Sequence, residues 1–288
     1  MPEKLAAQAA VVRLMRQYGH HPKKHFGQNF ITDPRVTEKM TAAAHICRDD
    51  FVIEIGPGLG GLTQALSEKA AAVLAVEVDA GLTGILKDLF ANENNVEIIR
   101  GDILKTDISA LMEERGRRTA KLAANLPYNI TTPVIEILLS NRRLFSRVSV
   151  MVQREAAERL TAKPGSKGYG ALPLMAAYYS DISVDAVVPR NCFYPRPNVD
   201  SAIVTFDINS HARNPDEEEI LFKCIRAAFG QRRKTLLNCL RFQDWLNTDK
   251  EELTELLKHC GFDENTRGEA LSLDDFIRLA RELYCKRS

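Results

Sequence analysis

Between residues 51 and 206 the chain alternates short apolar runs with longer amphipathic stretches. The runs are FVIEIG (51–56), VLAVEV (73–78), VEIIRGD (96–102), KLAANL (121–126) and VSVMVQ (148–153). They are rich in Val, Ile and Ala and nearly continuous, as strands buried on both faces of a parallel sheet are. The spacing of about twenty residues or more leaves room for a crossover helix each time. Two later runs, ISVDAVVP (182–189) and SAIVTFDI (201–208), lie closer together and read as an antiparallel pair at one sheet edge. The pattern predicts an α/β chain with a doubly wound, Rossmann-like sheet. Ahead of the sheet, LAAQAAVVRLMRQYG (5–19) reads as an amphipathic helix stopped at Gly19. Gln8 and Arg13 interrupt its apolar stretch and no cleavage-type site follows, which argues against a targeting segment.

The pattern changes at NSHARNPDEEE (209–219), where Asn, Ser, Pro and a run of acids mark a linker or turn. Everything after it reads as helix, over 216–229, 232–242, 249–260 and 272–285. Gly261 is a helix stop, and Ser272 with Asp275 three residues on comes close to a capping box. The expected organisation is a sheet domain over 1–211 and a small all-helical domain over 212–288.

Composition narrows the function classes. The chain has 288 residues, 45% hydrophobic and 27% charged, which suits one large domain and a smaller one. A net charge of +1 does not announce a nucleic-acid partner, so local charge must decide. The six cysteines show no C-x-x-C spacing and read as reduced thiols of a cytoplasmic protein. Only His21 and His25 stand four apart, and Pro22 breaks a helix between them, so no metal is expected. No run approaches the ~18 apolar residues of a membrane span.

Candidate chemistry starts at EIGPGLGG, behind the first strand. Gly56, Gly58 and Gly61 fit G-x-G-x-x-G, and Gly56, Gly58 and Gly60 fit G-x-G-x-G behind Glu54. Either way, residues without Cβ let the backbone approach a ligand at the carboxyl end of a strand. Glu77 ends the second strand, where a carboxylate can accept both hydroxyls of a ribose. The glycine loop leaves NAD and S-adenosyl-L-methionine both open. Asp102, at the end of the third strand, offers an oxygen to an exocyclic adenine amine. A dehydrogenase needs a general acid such as His near its hydride acceptor. No histidine lies between His45 and His211, which argues against hydride chemistry.

The fourth run ends in Asn125-Leu126-Pro127-Tyr128. Suppose the substrate is an exocyclic adenine amine: it is a poor nucleophile, because its lone pair is delocalised into the ring. Two acceptors on its N–H groups draw the nitrogen toward tetrahedral geometry without a strong base. Asn125 Oδ1 and the Leu126 carbonyl suit that role, with Pro127 fixing the turn. Tyr128 is placed to stack on the base, worth roughly 1–3 kcal/mol.

Eight segments then fall in order: HFGQNFI (25–31), EIGPGLG (54–60), VEVD (76–79), RGD (100–102), NLPYNI (125–130), KGYGALPLMAAYYSDI (167–182), FYPRPNVDSAIV (193–204) and FGQRRKTLLNCL (229–240). From about residue 13 to about 280 the chain resembles the small-subunit ribosomal RNA adenine dimethyltransferase family. The resemblance implies two methylations at N6 of each of two adjacent adenosines near the 3′ end of 16S rRNA, in ribosome biogenesis. It implies S-adenosyl-L-methionine as cofactor, held by Asn29 and Ile31 from the N-terminal loop, with Gly58 in the glycine loop. It further places Gly56 on the methionine side, Glu77 on the ribose, Asp102 on the adenine, and Asn125 near both methionine and target. Phe193 alone reads as a loop aromatic packed against Pro195 and Pro197. The resemblance instead has it cover the face of the flipped adenine opposite Tyr128. Departures are small: Ala171-Leu172 stands where the family more often has Arg-Leu, and Ile31 where Leu is usual.

The RNA partner directs attention to local charge. Residues 222–241 hold Lys223, Arg226, Arg232, Arg233, Lys234 and Arg241 and no acid. On a continuous helix Arg226, Arg233 and Arg241 share one side; a break at Gly230 spoils that stripe but keeps the charge. Lys23 and Lys24 form a second cluster beside the N-terminal loop, and Arg142, Arg143 and Arg147 a third. The expected partner is 16S rRNA or a small-subunit precursor, bound by a monomer. Two rival readings remain. One is a large-subunit rRNA methyltransferase of the macrolide-resistance type; the other is a non-catalytic assembly factor of the same fold.

Overall fold

A computed structural model describes residues 3–209 and 214–286. They divide into two compact units. The first comprises the residues up to Ala157 together with Asp181–Ile208; the second comprises Glu158–Ser180 together with the residues from Asn209 onward. The boundary expected between 211 and 212 lies outside the described residues.

The first unit runs α1 (Gln8–Gln17), β1 (Phe30–Ile31), α2 (Pro34–Ala43), β2 (Phe51–Ile55), α3 (Gly61–Ser67), β3 (Ala72–Glu77), α4 (Ala80–Leu89), β4 (Val96–Arg100), α5 (Ile108–Glu113), β5 (Ala120–Asn125), α6 (Thr131–Ser140) and β6 (Phe145–Gln153). Helix α7 (Arg154–Leu160) carries the chain into the second unit, where α8 (Ala171–Tyr179) follows. The chain returns with β7 (Ser180–Val188), β8 (Phe193–Tyr194) and β9 (Ser201–Ile208). Seven strands form one sheet in the order β4-β3-β2-β5-β6-β9-β7. The four pairings that join the five strands from β4 to β6 are parallel, as the continuous apolar runs predict, and β9 is antiparallel to β6. The two late runs are neighbours at the sheet edge, with β9 on the inside.

Helices cover both faces of this sheet, and strand alternation decides which residue meets which. Met151 and Ile203 join Val36 and Met40 of α2 and Leu62 and Leu66 of α3 in one apolar cluster. Their strand neighbours Val148 and Phe206 line a small apolar gap with Ile135, Leu138 and Leu139 of α6. Strand β2 has β3 on one side and β5 on the other, so the chain winds away in both directions from that point. The crevice at the carboxyl ends of β2 and β5 is where such a sheet binds its ligand. Caps from Asp33, Asp79 and Asp107 start α2, α4 and α5 and hold those helix N-termini by side-chain hydrogen bonds.

The second unit is helical: besides α8 it holds α9 (Pro215–Gly230), α10 (Leu236–Leu240), α11 (Lys250–His259) and α12 (Leu273–Cys285). Residues 158–180 belong here and not with the sheet. Helix α8 explains why: Tyr178 and Tyr179 pack their rings 5.2 and 5.3 Å from that of Phe222 on α9. The full capping box at Ser272 and Asp275 is formed, and Gly261 follows α11 at a φ of 83°. The helix expected over 232–242 shrinks to 236–240. Helix α9 ends at Gly230, a turn follows, and Thr235 caps α10 by accepting from the Asn238 N–H. Glycine and a Thr cap outweigh a run that is otherwise helix-compatible.

Candidate functional site

The glycine loop leaves β2 through positive φ at Gly56 (66°), Gly58 (62°) and Gly60 (83°). Only glycine adopts that region freely, and at Gly58 a Cβ would stand 3.0 Å from the Phe30 ring. The loop opens a cavity of about 950 Å³, counting its solvent-exposed mouth, at the carboxyl ends of β2, β3 and β5. Asn29, Ile31, Gly56, Gly58, Glu77, Asp102, Asn125, Leu126, Pro127 and Tyr128 all line it. The structure thus gathers ten residues from five separate segments around one space.

Two buried carboxyls stand in its wall. Glu77 is 4% exposed; its Oε2 accepts from the Gly58 N–H at 3.3 Å and its Oε1 from the Asp79 N–H at 2.9 Å. Burial pushes this carboxyl up to about 7, against the opposing pull of those amides. Glu54 lies deeper at 1% exposure, and its Oε2 has no hydrogen-bond partner. Burial pushes it up to about 8, with Thr63 opposing and Glu77 adding to the shift. Sequence reasoning gave Glu54 no role, although an acid inside the apolar run FVIEI is a signal in itself. A buried carboxyl with one unpartnered oxygen, beside a second buried carboxyl, suits a ligand that carries positive charge and hydroxyl donors. Those are the groups of S-adenosyl-L-methionine, so the residues present fit it.

The N-terminal loop closes one side. Asp79 accepts from Lys23 Nζ at 2.9 Å, from Gln28 Nε2 at 3.0 Å and from the Gly81 N–H at 2.9 Å. Burial pushes the Asp79 carboxyl up, but these donors win and hold it below the usual carboxylate range. Lys23 was expected to face RNA; its ammonium is instead held by a 2% exposed carboxylate that ties the loop to the start of α4. Lys24 makes no such contact and is exposed.

The other side is the turn after β5. Leu126 buries its side chain and donates its N–H to the Met151 carbonyl at 3.1 Å. The Pro127 carbonyl accepts from the Ile130 N–H at 3.1 Å. Asn125 Nδ2 donates to the Asn29 carbonyl at 2.9 Å, so the two walls are joined across the cavity. The Tyr128 hydroxyl lies 2.8 Å from Ser201 Oγ, and burial pushes that phenol up with Ser201 opposing.

Phe193 does not line this cavity. It pairs with Ile31 in the β1–β8 ribbon and is 4% exposed in the core cluster that includes Val188 and Ile203. Its ring thus lies in the core and outside the lining of this cavity. An apolar ring next to a sheet face is stabilised by about 25 cal/mol per Å² of area removed from water, and the core claims it. Its burial comes from sheet and helix residues such as Val36, Val188 and Ile203.

The basic candidates of the helical unit are exposed: Arg226 on α9, and Arg232, Arg233 and Lys234 on the turn after it. The break at Gly230 removes the shared stripe of Arg226, Arg233 and Arg241 and keeps the local charge. Arg232 donates to the Tyr169 carbonyl, which fixes one arm of the turn. In the first unit Arg147 is taken up by the Ala43 carbonyl at 2.7 Å and by Asp207.

Comparison with known proteins agrees with this geometry. The chain is 45% identical over 272 residues to the ribosomal RNA small subunit methyltransferase A of Lachnoclostridium phytofermentans, covering 93% of this chain and 94% of that one. It is 40% identical to the protein of the same name from Clostridioides difficile, over 99% and 98% of the two chains. Among solved structures, a dimethyladenosine transferase from Plasmodium falciparum superposes with a TM-score of 0.76 at 28% identity, over 89% of this chain and 98% of that one. The 23S rRNA methyltransferase ErmE shares the fold, with a TM-score of 0.70 at 21% identity over 88% and 99%. The sequence model of the ribosomal RNA adenine dimethylases matches residues 19–284, and the chain belongs to that family.

Proposed function

We propose that this chain methylates N6 of two adjacent adenosines near the 3′ end of small-subunit rRNA, using S-adenosyl-L-methionine, during ribosome biogenesis. The observation that carries the reading is the bond from Asn125 Nδ2 to the Asn29 carbonyl. With its donor engaged, the Asn125 amide presents Oδ1 as an acceptor at the end of β5.

Residues of the cavity wall hold the cofactor. Glu77 accepts from its ribose hydroxyls, and Asp102 from its adenine amine. Gly56 and Gly58 let the backbone come close, with Asn29 and Ile31 as the lid side. The cofactor supplies an electrophilic methyl group on a sulfonium. Asn125 Oδ1 and the Leu126 carbonyl accept from the target amine and turn its lone pair toward that methyl. Tyr128 carries the base on its ring. No group in this set needs to remove a proton before transfer, so positioning and electrostatic fit are the main contributions.

Arg226, Arg233, Lys234 and Lys24 are the basic residues assigned to phosphate contact, with Arg232 as a support of their turn. The substrate we assign is a small-subunit precursor, the active species a monomer, and the location the cytoplasm. Large-subunit RNA is the competing substrate; the names of the relatives with 40% or more identity favour the small subunit. Mass spectrometry of adenosines from small-subunit RNA incubated with protein and cofactor tests the reading. Dimethyladenosine at two adjacent positions is expected. Primer extension on both rRNAs of a deletion strain separates the alternatives, and loss confined to the large subunit would overturn the assignment.

A further inference from the structure

We propose that Ser201 is a positioning residue for methyl transfer, acting through the hydroxyl of Tyr128. The inference rests on the reading of Tyr128 as the platform for the target base. Ser201 opens β9 and is wholly buried, with Gln153 of β6 as its register partner. The residues after it are Ala, Ile, Val, Thr and Phe, and its hydroxyl, like that of Thr205, is a polar atom buried in a core strand. A buried hydroxyl without a partner is costly, and Tyr128 supplies the partner at 2.8 Å.

The bond fixes more than itself. The backbone of Tyr128 begins a short 3-10 turn over Tyr128–Ile130, which anchors the ring at its Cβ end. Ser201 anchors it at the opposite, hydroxyl end. A ring held at both ends cannot swing about χ1, so its face is set before any base arrives. The anchor is itself pinned. The Asp200 carbonyl accepts from the Arg154 N–H at 3.0 Å, and Asp200 Oδ1 accepts from the Arg190 N–H at 3.0 Å. The Tyr128 platform thus belongs to two elements, the turn after β5 and the start of β9. Preorganisation of this kind is what holds a bound base in reach of a reacting atom.

A double-mutant cycle tests it. Ser201→Ala and Tyr128→Phe each remove the same bond and leave the ring in place. Each is expected to lower kcat by about two- to tenfold, the range one neutral hydrogen bond commands. The double variant is expected to be no slower than either single one, with KM for RNA raised less than kcat falls. Calorimetric cofactor affinity stays unchanged in all three. Effects that multiply in the double variant, or a Ser201→Ala rate equal to wild type, would overturn the assignment. So would a parallel loss of cofactor affinity, which marks a merely structural role. A second readout needs no turnover: quenching of 2-aminopurine placed at the target position of a small-subunit RNA fragment, expected in wild type and weaker in both single variants. Quenching without turnover defeats the proposed function and leaves Ser201 standing. Equal quenching in wild type and Ser201→Ala defeats Ser201 alone.

Discussion

Asn125 Nδ2 donates to the carbonyl oxygen of Asn29 across 2.9 Å, joining the turn after β5 to the N-terminal loop. The two residues are 96 apart in sequence, so the contact exists only in the folded sheet. It sets the amide orientation, because a donor held by a carbonyl leaves the oxygen to face the cavity.

That orientation predicts unequal effects of two substitutions. Asn125→Ala removes the acceptor, and methyl transfer is expected to fall at least ~100-fold, as when one preorganised polar group of a reacting centre is deleted. Asn125→Asp keeps an acceptor but sets a carboxylate against the Asn29 carbonyl, so the N-terminal loop is released and cofactor affinity falls as well. RNA binding persists in both. Transfer of a labelled methyl group, with filter binding of RNA as the control, checks this; an active Asn125→Ala enzyme removes the acceptor role.

Glu77 makes two backbone hydrogen bonds in the wall and is the acid assigned to the ribose. A charge-assisted hydrogen bond is worth about 1.5–3 kcal/mol. Glu77→Ala is therefore expected to raise the cofactor Kd about tenfold or more, measured by isothermal titration calorimetry at a pH above about 8, where the Glu77 carboxyl is ionised. Binding unaffected by the change would move the ribose elsewhere in the cavity.

The two raised carboxyls make cofactor binding depend on pH. Glu77 titrates at about 7 and Glu54 at about 8, both above an ordinary value of 4.5. The cavity therefore carries protons at neutral pH, and a cationic ligand binds best once they are lost. The cofactor Kd is expected to fall as pH rises from about 6 to about 8.5, by at most about tenfold per pH unit for each proton released. Stability without ligand runs the other way. For a group whose folded value is raised, the contribution is full below 4.5 and is lost as pH rises through 7 to 8. Glu54→Gln removes one such group, so its melting temperature should exceed that of wild type above pH ~8 and vary less with pH. Superimposable stability profiles for the two proteins would show that Glu54 is not a proton store.

Much of this site is legible in the sequence because it lies at strand ends. Periodicity locates the strands, and Glu77 and Asn125 terminate β3 and β5, so their place at the cavity follows from strand order. Glycines with positive φ mark the loop for the same local reason. What the sequence hides are contacts made by folding distant segments together. Lys23 looks free until Asp79, 56 residues on, claims it. Phe193 looks available until its pairing with Ile31 turns it into the core. Residues 158–180 look like part of the sheet domain because nothing local shows that Tyr178 and Tyr179 pack on Phe222. Glu54 carried a local signal, an acid among β-branched residues, but its unpaired oxygen is visible only in the fold.

The last contrast separates two basic residues that composition treats alike. Lys23 Nζ is bound to Asp79 and steadies the loop that carries Asn29 and Ile31. Its side chain is 42% exposed, so solvent screens the pair and its worth is about 0.2–1 kcal/mol. Lys23→Ala is then expected to raise the cofactor Kd by no more than about fivefold, with the salt dependence of RNA binding unchanged. Arg233 is exposed on the turn after α9, where phosphate contact is its assigned role. Arg233→Ala should weaken RNA binding and reduce the slope of log K against log salt by about one, with cofactor affinity unchanged. Filter binding across a salt series and calorimetry with the cofactor give both numbers for both variants. If Lys23→Ala lowers the salt slope, its ammonium reaches RNA despite Asp79; if Arg233→Ala leaves the slope unchanged, that turn is an ordinary solvated surface.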